Sequence, residues 1–206
     1  MKGISNYKET EATNFTSELP KLEPGGYIIR VLDIKAEEKN GDYCLRLMLD
    51  IAEGEQAGFY KKLYEATPDE WESKKWKGTY TIWIPSNQGD DAAYRKKVGF
   101  FKSQLEAFEK SNTGLKINAE SDWDERILKG KIVGALFNEK EWDFKGKTGF
   151  ATQCKRLVPA DIIRSGNFTV PKPDLLKSRP SSESSAASSS VNLSDFVEVD
   201  VEGVPF

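Results

Sequence analysis

Ala92-Ala93-Tyr94-Arg95-Lys96-Lys97-Val98-Gly99-Phe100-Phe101-Lys102-Ser103-Gln104-Leu105-Glu106-Ala107-Phe108-Glu109-Lys110-Ser111 carries the chain's one long helical pattern. Tyr94, Val98, Phe101, Leu105 and Phe108 recur at steps of four, three, four and three, a single apolar stripe along a helix. Asp90 or Asp91 caps its start, and Asn112-Thr113-Gly114 stops it. It is the one long helix that the sequence predicts, so its place among the strands fixes the architecture.

Upstream, Pro24-Gly25-Gly26 is a turn that launches a first strand over 27–34, and Asn40-Gly41-Asp42 signals a hairpin. Residues 43–51 then alternate. Tyr43, Leu45, Leu47, Leu49 and Ile51 fall on one face, and Cys44, Arg46, Met48 and Asp50 on the other. Gly54 and Gly58 loosen the chain before a short extended piece over 59–64. Thr67-Pro68-Asp69-Glu70 has the form of a capping box with proline at the first helical position, which predicts one or two helical turns. A third strand covers 78–84 and ends at Pro85; Tyr80, Ile82 and Ile84 share a face, with Trp83 on the other.

Downstream of the helix, an irregular segment around Trp123 leads to strands over 131–137 and 149–156, joined by a loop over 138–148. Three strands, a helix and two strands is the order of a five-stranded Greek-key barrel, the OB-fold, whose helix sits between strands three and four. Strand spacing alone also admits a small sandwich with an added helix; the single helix in that slot favours the barrel. The expectation is a mainly β chain with an OB-fold domain over 25–165. An N-terminal arm over 1–24 precedes it, with Phe15, Leu19 and Leu22 as anchors. A Pro/Ser-rich disordered linker over 166–190 and an acidic tip over 191–206 follow, because residues 181–190 hold too few apolar side chains to offset ordering entropy.

Charge separates body from tail. The formal net charge is −3, yet the tip alone carries −4 from Asp195, Glu198, Asp200 and Glu202, which leaves a nearly neutral remainder. There is no histidine, so the commonest general base and metal ligand is missing. Cys44 and Cys154 match no zinc spacing and read as small buried hydrophobes, with a disulfide left open. Asp90-Asp91 and Asp122-Asp124 fit capping, and no glycine cluster forms a phosphate-cradling loop. These features predict a protein that is not an enzyme and uses neither cofactor nor metal. The first residues lack the apolar run of a signal peptide, and no stretch approaches membrane-spanning length, so a cytoplasmic protein is expected.

OB-folds bind single strands on the face of strands two and three, flanked by the loops joining strands one to two and four to five. Three clusters fall on such elements: Trp142, Phe144, Lys145 and Lys147 in the 138–148 loop; Tyr60, Lys61, Lys62 and Tyr64 after strand two; and Arg46 with Trp83 on the outward strand faces, led in by Trp76 and Lys77. Residues 126–156 hold eight basic and three acidic side chains, a local excess that suits phosphate. Simpler readings stand beside these. Trp83 fits core packing as well as stacking, Trp76 fits a wrap over the barrel, and Tyr60 and Tyr64 fit ordinary edge positions. Lys77 belongs to a run balanced by Asp69, Glu70 and Glu72. The loop holding Trp142 and Phe144 is where binding best explains rings placed at a hairpin tip.

The serine-rich tether and acidic tip ending Val204-Pro205-Phe206 resemble bacterial single-stranded-DNA-binding proteins and their phage-encoded counterparts. Leu22-Glu23-Pro24-Gly25-Gly26-Tyr27 and Ala52-Glu53-Gly54 resemble phage and prophage replication or recombination proteins. The tip departs from the bacterial pattern in spacing its acids, Glu198-Val199-Asp200-Val201-Glu202, without an unbroken aspartate run. The resemblance implies a protein that coats single-stranded DNA during phage replication, recombination or repair in a bacterial cytoplasm. It also implies partner recruitment by Asp195, Phe196, Glu198, Asp200, Glu202, Val204, Pro205 and Phe206, and it allows a homo-oligomer. Single-stranded RNA is the alternative ligand, and a protein-interaction scaffold built on the same barrel is the alternative class.

Overall fold

β1 (Gly25–Lys39) turns through Asn40-Gly41 into β2 (Asp42–Ile51). Both turn residues have positive φ, 55° and 84°, the left-handed pair of a two-residue type I′ hairpin. The structure, a computed structural model, describes residues 19–69, 74–86 and 90–176. The remaining elements are α1 (Phe59–Ala66), β3 (Thr79–Trp83), α2 (Asp91–Ser111), a 3-10 turn (Glu125–Leu128), β4 (Ile132–Phe144), β5 (Lys147–Val158) and α3 (Ala160–Arg164).

All five strands join one antiparallel sheet in the order β3-β2-β1-β4-β5. The expected mainly β chain, with its long helix between the third and fourth strands, is what the structure has. The closed barrel is not. Among the described residues no ladder joins β3 to β5, and the sheet stays open between these two edges. α2 packs against both edge strands and against β4. Tyr80 of β3 donates its hydroxyl to Gln104 of α2 at 2.8 Å, which ties that edge strand to the helix.

The core lies on the sheet face where β2 places Leu45, Leu47 and Leu49, β3 places Ile82, and β4 places Val133, Ala135 and Phe137. A bulge in β1 between Val31 and Asp33 lets both Val31 and Ile34 face inward, although they are three residues apart. Of the helix stripe, only the lower part is sealed: Leu105 and Phe108 are buried, while Tyr94, Val98 and Phe101 are half-buried. Asp90 caps α2, its carboxylate accepting the Ala92 amide. Leu22 enters the core, Leu19 is exposed, and Phe15 lies outside the described residues.

Four local expectations are corrected. Residues 59–64 are not extended: they begin α1, because the buried Asp50 carboxylate accepts the amides of Tyr60 at 2.8 Å and Lys61 at 3.2 Å and so caps the helix from a neighbouring strand. Thr67 opens no helix; it ends α1, donating its hydroxyl to the Leu63 carbonyl at 2.8 Å. Residues 70–73 lie outside the described residues, and 74–78 are irregular. The expected 138–148 loop is mostly strand, since β4 and β5 run on to a two-residue turn at Lys145-Gly146 with φ of 52° and 75°. Residues 166–175 belong to the compact unit that ends at Leu175, although composition reads them as the start of a linker. Asp174 is fixed there by backbone bonds of 2.8 Å to Glu139 and Glu141, with its carboxylate taking Gln153 and Lys155. The arm over 1–18 and the tip residues Asp195, Phe196, Glu198, Asp200, Glu202, Val204, Pro205 and Phe206 lie outside the described residues.

Candidate nucleic-acid interface

Alternation along β4 gives its end two unlike sides. Lys140, Trp142 and Phe144 share one side, and Glu139, Glu141 and Asp143 share the other. Register carries the division to β5, where Lys147 pairs with Phe144 and Gly149 with Trp142. The hairpin thus has an aromatic, basic side and an acidic side. Phe144 is 65 % exposed and Trp142 41 % exposed, and Lys145 stands over the Phe144 ring at 5.2 Å. Two adjacent left-handed residues match the right-handed twist of the strands, so a two-residue turn closes the hairpin just beyond Phe144.

On the acidic side, Glu139 pairs with Lys21 at 3.4 Å, and Glu141 is buried. Several cations of the basic 126–156 stretch are already engaged: Arg126 with Asp124, Lys129 with Asp33 and Lys155 with Asp174. Lys129 also holds the Asp33 carboxyl below its ordinary pKa by donating to it. Among the described residues Lys145 and Lys147 have no acidic partner, and both sit at the tip.

The second cluster divides. Tyr60 is buried in the core, edge-on to Phe59, and burial lifts its phenol above the ordinary value; it cannot stack on a base. Lys61 and Lys62 are exposed on α1, Lys61 lying 3.9 Å from Glu65. Tyr64 is partly exposed, with Lys74 5.0 Å from its ring centre and Trp76 6.0 Å away. Trp76 itself is half-buried against the core and spends its indole N–H on the Leu49 and Gly78 carbonyls, so it packs on the sheet as a structural ring. Lys77 is exposed.

On the third cluster, Trp83 is 37 % exposed and sits opposite the buried Cys44. Arg46 is exposed but paired to Glu37 at 3.5 Å. The three clusters do not form one groove along the sheet. Phe137 pairs with the first residue of β1, Gly25, so Trp142 and Phe144 project beyond that end, whereas Cys44 and Trp83 align with Glu37 near the other end.

Three exposed rings escaped sequence reasoning. Phe150 is 45 % exposed on β5. Tyr43 is on the expected core-side parity but stands past the core at the β1–β2 hairpin. Phe100 lies off the stripe of α2, which is itself the available signal. Both cysteines are free, Cys44 buried and Cys154 half-buried with its thiol pKa raised by desolvation. Among the described residues there is no group of three or more Cys, Asp or Glu able to hold a metal ion, and no helix long and apolar enough to cross a membrane. No protein-family model matches the sequence, and no curated protein matches it as a relative.

Proposed function

We propose that the chain binds single-stranded DNA with little sequence preference, chiefly through the β4–β5 hairpin. The observation that carries this is the one-sided tip: Trp142 and Phe144 exposed on the same side as Lys147, with Lys145 over the Phe144 ring and the acids on the opposite side. Exposed rings cost stability unless something covers them. Every base has a π-face, so stacking tolerates any sequence and is worth about 1–3 kcal/mol per base. Lysines beside the rings release counterions from the phosphate backbone.

We take the sheet to be an OB-type barrel left open at its seam. Such a barrel closes third strand on fifth, and β3 and β5 are the two edges of this sheet, with α2 lying against both. Recruitment of replication or recombination proteins by the acidic tip belongs to the same reading and rests on the sequence of residues 191–206.

Fluorescence titration with oligo-dT at two salt concentrations tests the proposal. Bound bases quench exposed tryptophan, and affinity falls with salt by a slope of about 0.7 per phosphate contact. Trp142→Ala with Phe144→Ala removes most of the affinity. Binding that ignores salt, or that survives this double substitution, rejects the hairpin as the site, and no binding at all rejects the proposal and favours a protein-binding surface. A parallel titration with oligo-rU separates DNA from RNA.

A further inference from the structure

α2 is buried at one end only. Leu105, Ala107 and Phe108, all in its second half, are its buried residues; the first half reaches out with nothing fully covered. That first half carries Phe100, 62 % exposed, which with Phe144 makes the two most exposed aromatic rings among the described residues. Lys96 and Lys97 are exposed within one turn of Phe100, and Lys102 follows it. Arg95 is paired to Asp91 at 2.6 Å, so Asp91, the one acid of the segment, is matched and the lysines set the local charge. A helix needs neither an exposed phenylalanine nor a cluster of cations for its own stability.

We infer that the first half of α2, with Phe100 as the stacking ring and Lys96 and Lys97 as phosphate contacts, is a second contact surface for the same single strand. The inference rests on the function proposed above. Excess positive charge beside a bare ring repeats the chemistry of the hairpin tip on an element far from it in sequence. It also argues against self-association through this face, because two copies would bring lysines together. The neighbouring groove of about 520 Å³, lined by Ile84, Pro85, Val98 and Ile117, is bordered farther along by Glu106, Glu109 and Glu120. Glu106 is paired to Lys110, but Glu109 and Glu120 still outnumber Lys102 on that lining, so the path runs over Lys96, Lys97 and Phe100 and not along the groove. With a second surface in use, the occupied length of strand exceeds what the hairpin alone can cover.

The test compares oligo-dT of about 6 nucleotides with oligo-dT of about 30, a span chosen around the usual site sizes of single OB domains. Two full-length variants are used, Phe100→Ala/Lys96→Ala/Lys97→Ala and the charge-only Lys96→Glu/Lys97→Glu; all three positions are exposed. Affinity for the long strand is expected to fall at least tenfold, and in the triple-alanine variant its salt slope to shrink by about 1.4, two phosphate contacts' worth. Affinity for the short strand stays at the parent level. Unchanged binding of both lengths overturns the inference and leaves the hairpin reading standing. Equal loss on both lengths also overturns it, since α2 and the hairpin would then be one site. A changed assembly state with unchanged affinity overturns it in favour of a protein interface. A parent protein that binds neither strand removes the functional reading and the inference together.

Discussion

The indole of Trp142 lies over Gly149, its cross-strand partner: a methyl group placed on Gly149 would stand 2.7 Å from Trp142 Cζ2. The bare glycine lets the ring lie down on the hairpin and shields the backbone beneath it. Gly149→Val should lift the ring away while costing little stability, since an exposed side chain can swing aside. The expected result is oligo-dT affinity reduced several-fold with a melting temperature close to that of the parent. A melting temperature that drops steeply would mean the glycine serves packing instead.

Asp50 is a carboxylate that builds an element it does not belong to. Its Oδ1 accepts the Ile51 and Tyr60 amides, both at 2.8 Å, and its Oδ2 accepts Lys61. Asp50→Ala leaves amides unpaired at the start of α1 and should cost about 2–3 kcal/mol. Asp50→Asn keeps an acceptor oxygen and should cost about half as much. Urea denaturation of the two variants measures the difference; equal costs would argue for the charge over the acceptor geometry.

Gly78 sits where β2 and β3 come together, and backbone closes the space around it. A Cβ there would stand 2.2 Å from the Leu49 carbonyl oxygen, which also receives the Trp76 indole. A backbone oxygen cannot step aside as a ring end can. Gly78→Ala should therefore destabilise by about 2–3 kcal/mol, with the β2–β3 amides losing protection in hydrogen exchange first. Wild-type protection at the Leu49 amide, which bonds the Gly78 carbonyl at 2.8 Å, would contradict this.

Burial raises the phenols of Tyr60 and Tyr80 and the thiol of Cys154 above their ordinary values. The folded chain holds these protons more tightly than the unfolded chain does. Their contribution to stability is complete below the unfolded values, about 8.5 for cysteine and about 10 for tyrosine, and is lost as pH climbs beyond them. Denaturation midpoints should hold steady from neutrality to pH ~8 and fall from there upward. Tyr80→Phe should soften the alkaline fall, at the expense of about 1 kcal/mol near neutrality for the lost bond to Gln104.

Periodic segments were legible from sequence. Strict alternation in β2 and the four-three stripe of α2 each repeat a local rule often enough to overcome noise, and both were located within a residue or two. What the sequence hid was supplied from a distance. α1 is capped by Asp50 from another strand, a contact no local window contains. Residues 166–175 look like linker until Asp174 meets Gln153 and Lys155. The hairpin was concealed differently: charged and aromatic residues mingle between Asn138 and Thr148, and only a two-sided reading separates them. Its rings stand out in the sequence, while the strands that aim them do not. Tyr60 shows the converse, a plausible stacking residue by type that tertiary packing took into the core.

Counting along the hairpin decides which sign of charge a ligand meets. Each residue's side is set by odd or even position, so a single-residue insertion between Asn138 and Glu141 would rotate the rings to where Glu139, Glu141 and Asp143 now point. Glu141 and Asp143 would turn over with them, to the side that Lys147 keeps on β5, so the rings would be parted from that lysine. Natural length variation here should therefore come in twos, or at the Lys145-Gly146 tip, and an engineered one-residue insertion would leave the rings on one side of the finger and Lys147 on the other.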